Sequence, residues 1–400
     1  MTSLVAHLKD GKQILKELPA IEQLSPLVWR LLGGNPGSYT LTGTNTYLVG
    51  RGPTRILIDT GEGEQIYEET LSKGMRQAGC QSLSQIIISH WHHDHLGGVP
   101  QVIAMKLGQE REMIVPVRKY MPKTDPKNFG QGEASINPYT LWPKDKFVPM
   151  EDGEIINDAG VQLKIMYTPG HANDHVVCVL EEEQSMFTAD NVLGTGTTVF
   201  NDLHSYMRSL RLMLAEAPKT LYPGHGPVVE NGCATISAYI EHRLKRIVQA
   251  VDVLSGGSGG GVSGVSGGGG SGGGGSGGGG SGGGGSGGGG GVGSARQEDK
   301  RWTLEKITRA MYLNLDERLI PPAMGNTYQV LDSLLIDGVV EVLPSKSAGG
   351  GEGGGGTQRS RDDVWRLIVT REEALRRMNG TKIDNNKEEE EEEETTPAKM

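Results

Sequence analysis

Short apolar runs and amphipathic stretches alternate along the first 254 residues. The runs 28–33 (VWRLLG), 45–50 (NTYLVG) and 55–61 (RILIDTG) are rich in branched and aromatic residues, with NPG and GRGP between them. Each reads as a strand closed by a turn. Residues 62–79 (EGEQIYEETLSKGMRQAG) carry apolar positions at helical spacing and end on glycine, which predicts an amphipathic helix. IIISH (86–90) is a short buried strand, and 161–170, 175–183, 185–190 and 220–226 repeat the strand-and-turn theme. Residues 233–254 place apolar side chains three and four apart and predict a long helix.

The pattern stops at Ser255, where a tract of Gly, Ser and Val begins. Such a tract cannot bury enough apolar area to order itself, so it reads as a tether spanning about 35 Å. A second patterned unit follows. RWTLEKITRAMYLN is one helix, and PPAMGNTYQVLDSLLIDG is another, opened by proline and closed by glycine. VVEVL and DVWRLIV then form two strands around a Gly-rich tip at 348–356. Helix, helix and β-wing suggest a winged-helix-like module. The expected organisation is an N-terminal extension (1–18), a main domain (19–254), a Gly/Ser-rich linker (255–295), the small module (296–378) and an acidic disordered tail (379–400).

Composition changes this picture little. The 62 glycines report the linker. The formal net charge is −10, but seven of the 49 acidic residues form the run Glu388–Glu394. Removing these seven leaves 42 acidic against 39 basic residues, so charge does not point to a partner. Three widely separated cysteines, Cys80, Cys178 and Cys233, form no CxxC pair and suit a reducing compartment. No apolar run reaches 18 residues, and the N-terminus lacks the apolar core of a secretory signal. The expected location is cytoplasmic, with no membrane partner. Ala398-Lys399-Met400 loosely resembles a peroxisomal tripeptide and supplies the alternative.

The chemistry concentrates in SHWHHDHLGG (89–98). His90 ends a predicted strand, and His92, Asp94 and His95 follow on the next loop. His171 closes YTPGH, Asp190 closes MFTAD, His225 lies in YPGHG, and Asp59 ends another strand. All stand at or just past C-terminal strand ends, where open α/β sheets place their sites. Five histidines and two aspartates supply about three ligands for each of two metals, with one carboxylate left to bridge. Imidazole and carboxylate without thiolate indicate catalytic zinc, or manganese or iron, rather than a structural site.

H-x-H-x-D-H, then TPGH, then an aspartate ending a strand, then GHG, is similar to the metallo-β-lactamase superfamily over residues 20 to about 254. The resemblance implies an α/β fold, a four-layered αβ/βα sandwich with the site at one sheet edge. It implies one metal on His90, His92 and His171 and another on Asp94, His95 and His225. Asp190 would bridge them, and Asp59 would orient a ligand. Asp94 is the catalytic candidate, and the nucleophile would be a hydroxide between the two dications, which lower the pKa of water. Trp91 and His93 fall at variable motif positions. His175, in HANDH, is a candidate for the substrate rim, with a structural role as the alternative; His7, His204 and His242 read as structural.

A closer resemblance covers GGNPGSYTLTGTNTYLVGRGPTRILIDTGEG, SHWHHDHLGGV, TPGHANDH, MFTADNVLGTGTTVF and LYPGHGPVV. These look like the branch holding the β-lactamase-like protein 2 endoribonucleases, which act on single-stranded RNA. The same branch holds fungal polyketide-releasing thioesterases of the atrochrysone carboxyl ACP type. TADNVLG, with Ala189 before the aspartate, resembles the thioesterases. Arg318 to Lys346 has no basic residue between its ends, a poor design for gripping phosphates. In the extended loop 108–150 and just before it, Lys106, Arg111, Arg118, Lys119, Lys123 and Lys127 suggest a basic rim, with Arg118 and Lys119 as candidate contacts for an acidic acyl carrier protein or RNA. The reading is a dinuclear zinc hydrolase acting on acyl-carrier or CoA thioesters, with a single-stranded RNA endoribonuclease as the alternative.

Overall fold

The computed structural model describes residues 8–9, 12–13, 17–107, 115–122, 138–256, 302–313, 315–343 and 362–379. The expected linker beyond Gly256, the wing tip, the acidic tail beyond Asn379, the C-terminal tripeptide and Arg111, Lys123 and Lys127 lie outside the described residues. The chain divides into two units, Met1–Lys245 and Arg246–Met400.

In the first unit, seven strands form one sheet in chain order: β1 (Ile21–Gln23), β2 (Val28–Leu32), β3 (Asn45–Val49), β4 (Thr54–Ile58), β5 (Ser82–Ile88), β6 (Val117–Tyr120) and β7 (Phe147–Met150). Pairing is antiparallel from β1 to β4 and parallel from β4 to β7. A second sheet of five strands runs β8 (Ile155–Asp158), β9 (Val161–Tyr167), β10 (Val176–Leu180), β11 (Ser185–Ala189) and β12 (Thr220–Pro223), with only its last pair parallel. Alternate residues of one strand serve different layers, as the two-residue period of a strand requires. Tyr47, Val49, Ile56, Ile58 and Ile87 meet Leu163, Ile165, Cys178 and Phe187 between the sheets. Leu48, Leu57, Ile86 and Ile88 face outward onto Tyr67, Leu71 and Met75 of helix α1 (Gln65–Gln77). Both strand faces are therefore buried, which explains their near-continuous apolar runs. The short α2 (His93–Leu96) and α3 (Val99–Ala104) lie between β5 and β6, α4 (Leu203–Ala215) connects β11 to β12, and α5 (Gly232–Leu254) follows β12, completing the αβ/βα sandwich.

The loop expected over 108–150 is not all loop. β6 and β7 extend the large sheet within it by parallel pairing onto β5, and Lys119 and Pro149 hide them along the chain by interrupting runs that otherwise fit a strand. This overturns the basic rim at its two named members. Lys119 is fully buried and ion-paired with Asp174, and Arg118 donates to Glu154 at 2.6 Å. Neither offers a free charge to a carrier or to RNA. His175 is likewise no rim residue: it is fully buried, with Nδ1 3.1 Å from Thr168 Oγ1.

In the second unit, β13 (Trp302–Thr303) leads into α6 (Leu304–Met311), capped by Thr303 Oγ1 on the Lys306 amide. α7 (Ile320–Ile336) follows, then β14 (Val340–Leu343) and β15 (Val364–Leu367). β15 lies centrally between β13 and β14, with Trp302 opposite Trp365. The helix expected from Arg301 thus starts three residues later, since Trp302 finds a cross-strand partner. Helix α8 (Arg371–Asn379) was not expected. The last turns of α5 belong to this unit, where Arg246 stacks over Tyr312 at 4.7 Å and Asp252 accepts from Arg371 at 2.6 Å.

Candidate metal centre

The centre is assembled at strand C-termini. β4 delivers Asp59 in a left-handed conformation (φ 60°), β5 delivers Ser89 and His90, and the loop into α2 carries His92, Asp94 and His95. β9, β11 and β12 deliver His171, Asp190 and His225. Seven of these side chains fall into two groups with mutually close ligand atoms: His90, His92, His171 and Asp190; and Asp94, His95 and His225.

In the first group, His92 Nδ1 lies 2.9 Å from both His90 Nε2 and His171 Nε2. In the second, Asp94 Oδ2 lies 3.2 Å from His95 Nε2 and 3.1 Å from His225 Nε2. Asp190 serves both: Oδ1 is 3.3 Å from His95 Nε2 and from His225 Nε2, and Oδ2 is 3.5 Å from His171 Nε2. Ligands at about 2.0–2.1 Å around one tetrahedral ion stand about 3.3 Å apart, close to these spacings. His95 Nε2 and Asp190 Oδ1 are buried yet have no hydrogen-bond partner. Buried polar atoms are rarely left so, and here they converge. The donor set fits divalent cations.

The surroundings fix the rings of His95 and His171. His95 Nδ1 donates to Asp59 Oδ2 at 2.7 Å, while Ser89 N and Oγ donate to Asp59 Oδ1 and Oδ2, each at 2.8 Å. His171 Nδ1 donates to the Val199 carbonyl at 2.6 Å, which leaves Nε2 with its lone pair toward the centre. Thr44 Oγ1 donates to Asp94 Oδ2 at 3.3 Å, and Asn35 holds Thr44 through two bonds. Gly224 is required by space: a Cβ there would stand 2.4 Å from Asp190 Oδ1 and 2.9 Å from His95 Cε1. Sequence reasoning assigned no role to Thr44, Ser89, Val199 or Gly224. Thr44 lies in a quoted motif segment, but its contact with Asp94 spans 50 residues and leaves no local pattern.

His93 lies outside both groups, with Nδ1 3.4 Å from Glu62 Oε1. Trp91 is buried. His175 sits behind the first group, its ring 5.1 Å from that of His90.

Electrostatics divide the two groups. Burial, reinforced by neighbouring imidazoles, pushes His90 well below the usual imidazole range and His92 down to about 3. Burial opposes charge on His95 too, but Asp94, Asp190 and Asp59 outweigh it and raise its pKa well above the usual value. His225 is raised to about 9, burial again being outweighed by Asp190 and Asp94. Burial would raise Asp94 and Asp190, yet the facing histidines hold both carboxyls well below the usual carboxylate range. In the metal-free protein at pH 7, His95 and His225 therefore carry protons, whereas His90 and His92 are neutral. Metal ligation requires neutral imidazole, so cation uptake at pH 7 is expected to release about two protons. Acidification favours those protons over the ion, so the Asp94, His95 and His225 group should empty at a higher pH than its neighbour. Proton release read by an indicator dye in weak buffer checks the first expectation, and residual metal after dialysis across a pH series checks the second. Uptake of ions without proton release would contradict the assignment.

Comparison with known proteins agrees with this geometry. Residues 39–225 match the metallo-beta-lactamase superfamily, and residues 303–347 match the beta-lactamase associated winged helix domain. The chain is 37% identical to the atrochrysone carboxyl ACP thioesterase nsrC of Aspergillus novofumigatus, over 64% of this chain and 72% of that protein. It is 38% identical to a beta-lactamase-like protein 2 homolog of Caenorhabditis elegans, over 60% of this chain and 75% of that protein. Among solved structures, a beta-lactamase domain protein from Burkholderia ambifaria shares the fold at a TM-score of 0.58 and 14% identity, covering 88% of this chain and 97% of that one. The paired His/Asp groups at the sheet edge and these likenesses lead to one conclusion: the chain belongs to the metallo-β-lactamase superfamily of hydrolases and carries its associated winged helix domain.

Proposed function

We propose that this hydrolase uses two divalent cations, zinc first and manganese or iron as alternatives, to cleave acyl thioesters on an acyl carrier protein or coenzyme A. The observation that carries the two-metal reading is Asp190, whose two oxygens face different groups of ligand atoms. His90, His92 and His171 would hold one ion and Asp94, His95 and His225 the other, with Asp190 between. Bound ions would supply Lewis acidity, lowering the pKa of water and polarising the scissile carbonyl. The protein's part is orientation: Asp59 and the Val199 carbonyl fix the His95 and His171 rings before substrate arrives.

The thioester is favoured by its leaving group. A thiolate departs with a conjugate pKa near that of free cysteine, about 8.5, and needs no proton donor. RNA cleavage expels an alkoxide, which must be protonated. His175, the rim candidate from HANDH, offers no ready proton: it is buried, and burial, then His171, pushes its pKa well below the usual range. Helix α7 of the winged unit contains no lysine or arginine to meet phosphate. Likeness to the thioesterase nsrC supports the same reading. A single-stranded RNA endoribonuclease is the second reading, favoured by the comparable likeness to the beta-lactamase-like protein 2 homolog. Three free cysteines suit a reducing, cytoplasmic setting.

The test sets an acyl-carrier thioester beside unstructured single-stranded RNA with one zinc-loaded preparation. Thioester turnover abolished by chelation and by His92→Ala is the expected result. Metal-dependent RNA cleavage that His92→Ala abolishes, with no thioester turnover, would replace this reading with the ribonuclease.

A further inference from the structure

Lys119 and Asp174 form an ion pair with side chains 0% and 1% exposed. Burying two charges is costly, and replacing such pairs by neutral groups of similar size is often neutral or stabilising. Overall stability therefore does not account for the pair; its position does. Lys119 stands on β6, level with Ile88 of β5, two residues before His90. Its Nζ also donates to the Tyr120 carbonyl at 3.3 Å. Asp174 lies three residues after His171, on the loop between β9 and β10. Its second oxygen, Oδ1, accepts the backbone N–H of Trp91 at 3.4 Å, and Trp91 separates His90 from His92. The same two loops meet once more, where Val176 N donates to the Ser89 carbonyl at 2.9 Å. His90 is thus bracketed by two cross-loop bonds, one of them made by a carboxylate that Lys119 holds in place.

We propose that Lys119 and Asp174 are positioning residues that lock the His90/His92 loop to the His171 loop, pre-setting the three-histidine half of the centre for its cation. The inference rests on the two-metal reading above. Neither residue touches the ligand atoms directly, so the effect passes through Trp91 and the loop backbone. Groups bonded directly to a ligand change metal affinity by about 10–100-fold when removed, and a contact one step further out is expected at the lower end, about 10-fold.

The test is Lys119→Met combined with Asp174→Ala, which removes both charges and the acceptor for Trp91 N together. Cobalt(II) and zinc affinities are measured by stepwise chelator competition, with the visible cobalt spectrum reporting ligand geometry and a thermal melt reporting folding. The expected result is a variant that still melts cooperatively, affinity of the three-histidine group weakened about 10-fold, and an altered cobalt band. The Asp94, His95 and His225 group should stay near the parent value. Parent-like affinity and spectrum at both groups in the folded variant would overturn the proposal. If that variant does not fold, Asp174→Glu decides: it keeps both charges but moves the carboxylate by one methylene, and the same selective loss is expected, parent-like binding being the contrary result. A parent protein that takes up no cation would instead overturn the two-metal reading and this inference with it, whereas two tightly bound cations in parent and variants alike would overturn the inference alone.

Discussion

Asp190→Ala is expected to strip the centre of both cations and lower kcat/KM by about 10³-fold or more, since metal-ion charge stabilisation contributes several kcal/mol and each factor of ten costs about 1.4 kcal/mol. The carboxylate lies within 3.5 Å of ligand nitrogens from both groups. Its loss removes a ligand from each half and an anion that offsets the charge of two dications. Asp94→Ala should behave differently. Asp94 contacts only His95 and His225 among the ligand histidines, so one equivalent of metal should remain while nearly all hydrolysis is lost. Elemental analysis after gel filtration, read beside turnover of the same sample, separates the two. An Asp190→Ala protein that keeps two equivalents and parent turnover would show that the carboxylate does not bridge.

Asp59→Asn is expected to weaken cation binding at the Asp94, His95 and His225 group by about 10–100-fold while leaving the fold intact. The substitution is isosteric. The amide oxygen still accepts the Ser89 N–H, now bonded to Asp59 Oδ1 at 2.8 Å. The amide nitrogen, however, replaces Oδ2, which accepts from both His95 Nδ1 and Ser89 Oγ. A donor facing Nδ1 favours the tautomer with its proton on Nε2, and Nε2 is the atom turned toward Asp94 and Asp190. The lone pair needed for ligation is lost without any change in ligand identity. Activity should therefore recover as metal is raised, in contrast to Asp94→Ala. Chelator competition gives the affinity, and a metal titration of turnover gives the recovery. Parent affinity in Asp59→Asn would remove Asp59 from the support of the centre.

Most of the framework was legible along the chain. The strands at 28–33, 45–50, 55–61 and 185–190 announced themselves because both of their faces are largely buried, and the one within 161–170 because apolar and polar residues alternate along it, so local composition distinguishes them from the turns between. His90, His92, Asp94 and His95 were legible for a related reason: four ligand-type residues on one short loop after a strand make a local pattern. What the chain did not disclose depends on partners distant in sequence. Lys119 looked like a rim charge because a lysine in a polar stretch is usually solvated. Its burial depends on Asp174, 55 residues away, and on β5 and β7 flanking it in the sheet. His175 looked available until the two sheets closed over it. Thr44 gained its role only when the loop before β3 met Asp94. The sequence by itself determined which residues are candidates for the chemistry and which segments are strands, since those follow from side-chain type and short-range period. Only the tertiary structure decided which charges are buried, which rings are oriented and which loops are locked together, because each of those is a contact between elements whose separation along the chain leaves no periodic trace.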